Sequence, residues 1–223
     1  MNPTDEMEWT DRVVLVIGGD PVGKAIADGF RRQGADVASI VNDSAMTDMA
    51  AIADQVEDIV RQHGKIDVMV HAWEFFAASP AVDMHWQQWK DVIHWNVKSK
   101  FLFSKEVGKH MLLRQQGSIV LLTSIGGMVA MPGAVAFAAS QGAIHQITRT
   151  LGVEWARRGV RVNAIASSLP EGSLRAERIA QVTPLGRLPE PKELVGTALY
   201  LASDTSQMVT GQIISVDGGY VTQ

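Results

Sequence analysis

Val13-Val14-Leu15-Val16-Ile17-Gly18-Gly19 is the stretch that decides the fold of this chain. Five consecutive apolar residues that end at paired glycines are typical of a parallel strand, buried on both faces, that enters a tight turn. Helical spacing follows over residues 24–34, and short apolar runs then alternate with helical segments along the chain. Strands that alternate with helices at this spacing predict an α/β fold with a Rossmann-like, doubly wound parallel sheet flanked by helices.

The same patterns predict where each element lies and how the domain is organised. Strands are predicted at 13–17, 37–41, 66–70, 118–123, 160–166 and 213–216, and helices at 24–34, 49–64, 86–113, 136–158 and 192–201. The region between the second and third strands is short, which favours a sheet of six strands. Because no linker, repeat or low-complexity tract interrupts the pattern, we expect one domain over residues 1–223.

Composition excludes several classes of function. The net charge is −4, and lysine and arginine are scattered among acidic residues, which argues against nucleic-acid binding. No apolar run is long enough to cross a bilayer, and the polar start of the chain does not resemble a signal peptide. The chain has no cysteine, and its six histidines lack the spacing of a metal site. We therefore expect a cytoplasmic protein without a bound metal.

Several short motifs occur in a characteristic order along nearly the whole chain. They are Gly64-Lys65-Ile66-Asp67, Asn96-Val97, Thr123-Ser124, the segment 155–163 and Val216-Asp217-Gly218-Gly219. Together they resemble the classical short-chain dehydrogenase/reductase family, particularly its ketoacyl-reductase-like branch. The resemblance implies nicotinamide-dependent alcohol–carbonyl chemistry, carried out by an Asn, a Ser, a Tyr and a Lys.

Two of those four catalytic positions depart from the family pattern. Asn96 matches the family's Asn, and Ser124 matches its Ser, whereas Phe137 and Gln141 occupy the positions of the Tyr and the Lys. Residues four apart on a helix share one face, so the family's pair would point into one site. Phe137 has no proton to give, and loss of a positioned general acid costs about 10²–10⁴ in rate. Only Asn96 and Ser124 are expected to remain as remnants of a catalytic site.

The loop that binds the cofactor's diphosphate in the family is also altered. It reads Gly18-Gly19-Asp20-Pro21-Val22-Gly23, about one residue short and without the middle glycine. Asp20 before Pro21 is typical of a helix N-cap with proline in the first turn. A carboxylate there would occupy the amides that otherwise bind phosphate and would repel a diphosphate. We interpret the segment as an ordinary strand–helix turn, with no cofactor-binding residues in this chain.

Other family positions lining the cofactor and substrate differ as well. His71-Ala72-Trp73-Glu74 replaces an Asn-Asn-Ala-Gly motif, which adds bulk and charge on the adenosine side. Asp43 is either a ligand of a ribose hydroxyl or, as we favour, an exposed turn carboxylate. Ser167-Ser168 replaces a Pro-Gly pair, and the substrate lid over 169–184 is short.

The leading hypothesis is a catalytically inactive subunit that assembles with an active, NAD-binding paralogue. It resembles the non-catalytic subunits of heterotetrameric members that act on hydroxyacyl-CoA compounds, such as 2-(hydroxybenzyl)succinyl-CoA. Assembly would use the helices 86–113 and 136–158 and the C-terminal segment 192–223. Two alternatives stay open: a non-redox enzyme that uses Ser124 and Asn96, and an NAD(P)-dependent oxidoreductase with atypical catalytic residues.

Overall fold

A computed structural model describes residues 9–41, 44–168 and 176–223. Within these residues, six parallel strands form one sheet in the order β2-β1-β3-β4-β5-β6. The strands are β1 (Val13–Ile17), β2 (Asp36–Ile40), β3 (Val68–His71), β4 (Gly117–Ser124), β5 (Val160–Ser167) and β6 (Ile213–Val216). The order reverses beside β1, as in doubly wound folds, so the predicted fold class is confirmed.

Helices cover both faces of this sheet. They are α1 (Pro21–Arg32), α2 (Met49–His63), α3 (Trp86–Ile93), α4 (Ser99–Arg114), α5 (Val135–Ala156), α6 (Ala176–Val182) and α7 (Val195–Ala202). On one face Phe103 and Ile144 pack with Met69 in one apolar core. On the other face Phe30 and Leu201 pack in a second core. Because both faces are covered, β1, β3 and β4 read as continuous apolar runs rather than as alternating ones.

The main difference from the predicted elements lies in the long helix expected at 86–113. The structure divides it into α3, a π-helical turn over His94–Lys98, and α4. π-Turns inside helices occur frequently at functional sites, and this one contains Asn96. The helix α6 lies within the segment expected to form a lid, whereas Asp43 and residues 169–175 lie outside the described residues.

Parallel pairing places the ends of the central strands at one edge of the sheet. Ile17 pairs with His71, and His71 pairs with Leu121, so the chain leaves β1 and β3 at the same level. Ser124 pairs with Ser167 at the ends of β4 and β5. Ligands of open α/β sheets bind in the crevice outside these carboxyl ends, beside the reversal of strand order. Residues that follow β1, β3 and β4 are therefore candidates for one site.

Asp67, which precedes β3, is the main buried ionic contact at the opposite edge of the sheet. Its carboxylate accepts hydrogen bonds from Val13 N at 2.9 Å and from Arg114 Nη2 at 2.6 Å, and Lys65 Nζ lies 3.0 Å away. Burial alone would raise the pKa of Asp67, but these three partners outweigh burial and hold the pKa below its ordinary value. The carboxylate thus fixes the start of β1 against β3 and α4.

Some apolar side chains of the helices expected to mediate assembly are exposed in the single chain. The exposed fraction is 44% for Phe101 and 80% for Leu113 on α4, and 77% for Val153 on α5. Among the described residues, no helix combines the length and the apolar character needed to cross a bilayer.

Replacing Asp67 by Asn should lower the free energy of unfolding by about 3 kcal/mol, because the Arg114 and Lys65 charges lose their buried partner. Asp58→Asn is a matched control, since Asp58 is exposed and pairs with Arg61 at the surface. We expect the control to change the free energy by less than about 0.5 kcal/mol. Urea denaturation of both variants measures the difference, and equal stability would contradict the role assigned to Asp67.

Candidate functional site

A narrow pocket opens at the carboxyl edge of the sheet. It has about 490 Å³ of space when its open mouth is counted, of which about 30 Å³ is open to the centre of a water molecule. Its lining residues come from the turn after β1, the segment after β3, the ends of β4 and β5, and helix α5; they include Asp20, Val22, Ala72, Glu74, Phe76, Leu122, Thr123, Phe137 and Ser167. A flat ring can enter only if side chains at the mouth move apart.

The turn between β1 and α1 is so tight that its backbone requires glycine at Gly18 and Gly23, and a side chain at Gly19 would displace Val41. Gly18 has a φ of +130°, a conformation that other residues rarely adopt. A Cβ atom added to Gly23 would lie 2.2 Å from the carbonyl oxygen of Gly18, and one added to Gly19 would lie 2.7 Å from Val41 Cγ1. This close strand–turn–helix geometry is the one in which a helix N-terminus faces a dinucleotide's diphosphate.

Asp20 caps the helix that follows this turn, as the sequence predicts. Its Oδ1 accepts a hydrogen bond from Gly23 N at 2.7 Å, and Pro21 occupies the first helical position. Burial raises the pKa of Asp20, although hydrogen bonds from Gly23 and Val22 and the nearby charge of Lys100 oppose that shift. The carboxylate does stand at the helix N-terminus, but its charge is partly offset by a buried cation.

Asn96 lies in the π-helical turn and is fully buried. Its Oδ1 accepts from Phe75 N at 2.7 Å, and its Nδ2 donates to Phe75 O at 2.9 Å and to Ser140 Oγ at 3.0 Å. Ser140 Oγ in turn donates to Phe137 O at 2.6 Å. Asn96 therefore connects the segment after β3 to the start of α5.

Gln141 serves as an acceptor at the place where the family carries a lysine. Its Oε1 accepts from Thr123 Oγ1 at 2.7 Å and from Ser124 N at 3.0 Å, and its Nε2 donates to Ser140 Oγ at 3.3 Å. Ser124 Oγ accepts from Gly126 N at 3.1 Å. The structure thus brings Asn96, Ser124 and Gln141 into one buried network, with Ser140 at its centre.

Phe137 lies in the first turn of α5 and lines the pocket. Its ring packs edge to face against Phe76, with 5.0 Å between the ring centroids. The position of the family's phenol is therefore apolar, although Glu74 and Thr123 line the same pocket.

Sequence reasoning treated Glu74 only as unfavourable bulk and charge on the adenosine side, whereas Glu74 lines the pocket together with Phe137. It missed Lys100 altogether. Lys100 is fully buried, and its Nζ donates to Trp73 O. Burial lowers the pKa of Lys100 to about 8, against the opposing attraction of Glu74 and Asp20. The signal was present, because Lys100 follows Asn96 by four residues and so shares its helix face.

Comparisons with known proteins show that this chain is similar to dehydrogenases and reductases. The family described as enoyl-(acyl carrier protein) reductase matches residues 43–221. The 2-dehydro-3-deoxy-D-gluconate 5-dehydrogenase of Pseudoalteromonas atlantica is 34% identical, over 94% of this chain and 96% of that enzyme. The 3-oxoacyl-[acyl-carrier-protein] reductase of Thermotoga maritima is also 34% identical, over 92% of this chain and 87% of that enzyme.

Solved structures agree with these relatives. A putative NAD(P)-dependent gluconate 5-dehydrogenase from Beutenbergia cavernae, with bound NADP at low occupancy, superposes with a TM-score of 0.88. It is 29% identical, and the match covers 98% of this chain and all of that chain (100%).

These findings overturn two expectations drawn from the sequence. The hypothesis of a catalytically inactive subunit is wrong, because a relative that matches over 96% of its length is named as a dehydrogenase. The expectation that the chain binds no cofactor is wrong for the same reason, since a matching structure contains NADP. The error has a physical source: Asp20 was judged alone, without Lys100 and without the tight glycine turn that persists around it.

Gln141→Lys should destabilise the protein although it restores the family's residue. A lysine cannot accept hydrogen bonds, so Thr123 and the Ser124 amide would lose their acceptor, at about 1–3 kcal/mol for each buried group. Gln146→Lys is the matched control, because Gln146 is exposed on the same helix. Thermal denaturation of both variants checks this, and a Gln141→Lys protein as stable as the control would refute the anchoring role.

The turn from Gly18 to Gly23 is the part of the chain that would hold the diphosphate of a nicotinamide dinucleotide. Gly23 packs so closely against Gly18 that α1 begins directly beside the end of β1, as in folds that bind a dinucleotide, and the positive charge of Lys100 opposes that of Asp20. The backbone of the turn therefore fits a nicotinamide dinucleotide, although Asp20 Oδ1 occupies the Gly23 amide. Fold, site and relatives lead to one assignment: this chain belongs to the short-chain dehydrogenase/reductase family.

Proposed function

We propose that this chain is an NAD(P)-dependent oxidoreductase with atypical catalytic residues, which interconverts a secondary alcohol and a ketone. The observation that carries the proposal is the glycine turn facing a pocket at the carboxyl edge, with Asn96 and Ser124 joined in one network beside it. The dinucleotide would supply the hydride acceptor or donor. The turn from Gly18 to Gly23 would hold its diphosphate.

The substrate class follows from the relatives and from the pocket. Four of the relatives are named for gluconate, deoxygluconate, glycerol or galactitol chemistry, which involves small polyhydroxylated molecules, whereas another is a 3-oxoacyl-[acyl-carrier-protein] reductase. The pocket combines apolar walls with the hydroxyls of Thr123 and Ser167 and the carboxylate of Glu74. Such groups can bind the hydroxyls of a small polyol.

Within this proposal, Ser124 orients the reacting oxygen. Because its Oγ accepts from Gly126 N, its own hydroxyl proton can be directed toward a substrate carbonyl. Gln141 holds the Ser124 amide and so fixes the end of β4. Phe137 supplies an apolar wall that excludes water from the reacting carbon.

We also propose that the exposed apolar side chains of α4 and α5 mediate the association of this chain with other subunits. The predicted surfaces 86–113, 136–158 and 192–223 remain the candidates, and Phe101, Leu113 and Val153 support the first two.

Leu113→Asp should shift the native mass toward that of the single chain, because it places a charge in the proposed apolar interface. Native mass spectrometry checks this, and an unchanged mass would remove Leu113 from the interface.

The proposed function is tested by binding and by turnover. Titration of NAD⁺ and NADP⁺, followed by tryptophan fluorescence, should give saturable binding to at least one of them. Gluconate, glycerol and galactitol, with 5-ketogluconate in the reverse direction, form the substrate panel for dinucleotide-dependent turnover.

Gly23→Ala should weaken dinucleotide binding at least tenfold, about 1.4 kcal/mol, because its Cβ forces the turn open. Gly196→Ala is the control, since a Cβ there meets nothing within 4 Å. Absence of binding by the unmodified chain at millimolar dinucleotide, together with absence of turnover, would contradict the proposal.

A further inference from the structure

The segment after β3 is fixed at two points by one helix face. Phe75 exchanges two backbone hydrogen bonds with the Asn96 side chain, and the carbonyl oxygen of Trp73 accepts from Lys100 Nζ. Asn96 and Lys100 are both fully buried. Glu74 stands between the two fixed residues, so its backbone has little freedom to move.

Glu74 and Phe137 line the same pocket, together with Thr123 at the end of β4. The family's phenol is missing from this pocket, but a carboxylate that can accept or donate a proton is present. A buried ammonium, Lys100, attracts that carboxylate electrostatically. The pair thus has the same two components as a proton-transfer group and its tuning cation.

Asp20 is the other carboxylate that lines the pocket, and it is less suited to this task. Its Oδ1 accepts the Gly23 amide and caps α1. Proton transfer by Asp20 would compete with this cap. His71 is fully buried and bonded to Ser99 Oγ, and burial together with the charge of Lys100 holds its pKa well below the ordinary range. Neither group replaces Glu74.

We propose that Glu74 is a catalytic residue that moves the proton in the reaction, and that Lys100 is the positioning residue that holds its segment and balances its charge. This inference rests on the proposed function, because it assigns a role within the oxidoreductase site.

In the direction of oxidation, the substrate's O–H bond breaks, and its proton passes to the Glu74 carboxylate. An oxidised nicotinamide dinucleotide, held at the turn from Gly18 to Gly23, would be the two-electron oxidant and would accept the hydride as the carbinol C–H bond breaks. A C=O bond forms in the substrate, and protonated Glu74 then releases its proton to solvent. Reduction of the ketone follows the same path in reverse, with Glu74 as the acid.

Glu74→Gln keeps the size of the side chain and removes its proton transfer, so it is the direct test. We expect kcat to fall by about 10²–10⁴-fold, the contribution of a general acid or base. The dinucleotide's dissociation constant should stay within about twofold. The limb of the pH–rate profile that reports the Glu74 carboxylate should disappear. The neighbouring titratable groups Asp20, Lys100 and His71 are unchanged in this variant.

Glu57→Gln is the matched control, because Glu57 is exposed on α2 and pairs with His110 at 3.1 Å. It should leave kcat and the pH profile unchanged. Circular dichroism checks folding of each variant. If Glu74→Gln does not fold, Glu74→Asp, which retains the charge on a shorter side chain, should fold, turn over more slowly and keep the pH limb. A Glu74→Asp enzyme with an unchanged rate would overturn the proposal.

A phenol placed in the same pocket should replace the lost group. We expect Glu74→Gln/Phe137→Tyr to regain part of the activity, with rates that rise toward the phenol's ordinary pKa of about 10. A lack of rescue would count against Glu74 as the proton-transfer group.

The outcomes separate this inference from the proposed function. If the unmodified chain binds dinucleotide and turns over, but Glu74→Gln keeps its rate and pH profile, the assignment of Glu74 is wrong and the oxidoreductase stands. If the unmodified chain neither binds nor turns over, the proposed function is wrong, and the inference falls with it.

Discussion

The site depends on one buried helix face that holds the chain where it leaves β3. Asn96 fixes Phe75 through two hydrogen bonds, and Lys100 fixes the carbonyl of Trp73. A lysine without solvent exposure is rare, since removing an ammonium from water costs several kcal/mol unless partners compensate. Here the carbonyl and the charges of Asp20 and Glu74 provide that compensation. Asn96 lies in the π-helical turn, and Lys100 lies at the start of α4 directly after it.

This arrangement explains how the scaffold tolerates the loss of the family's Tyr–Lys pair. At position 141 a lysine would have to be buried beside groups that need an acceptor, and Gln141 meets that need instead. The buried cation near the pocket is Lys100 on α4, whereas α5 carries the neutral Gln141. The carboxylate of Glu74 then occupies the pocket with Phe137, so polar chemistry and an apolar wall coexist at the end of β4.

The sequence was sufficient for the architecture and for the local features that short-range chemistry determines. Apolar runs predicted the strands, and Asp20 before Pro21 predicted the N-cap of α1. The interruption of the long helix at Asn96 could not be predicted, because it depends on contacts with Phe75 and Ser140, far apart in the chain. The prediction of an inactive subunit was wrong because it considered the absence of Tyr and Lys at positions 137 and 141 without considering Glu74 and Lys100. Lys100 and Glu74 meet only once the sheet is folded.

A crystal structure of the chain with an oxidised nicotinamide dinucleotide tests the central claim most directly, namely that this altered site still accommodates hydride chemistry. The account predicts density for the dinucleotide, with its diphosphate at the turn from Gly18 to Gly23 and its nicotinamide end in the pocket of Glu74 and Phe137. Density that places the nicotinamide end away from Glu74, or no dinucleotide density at millimolar concentration, would contradict it.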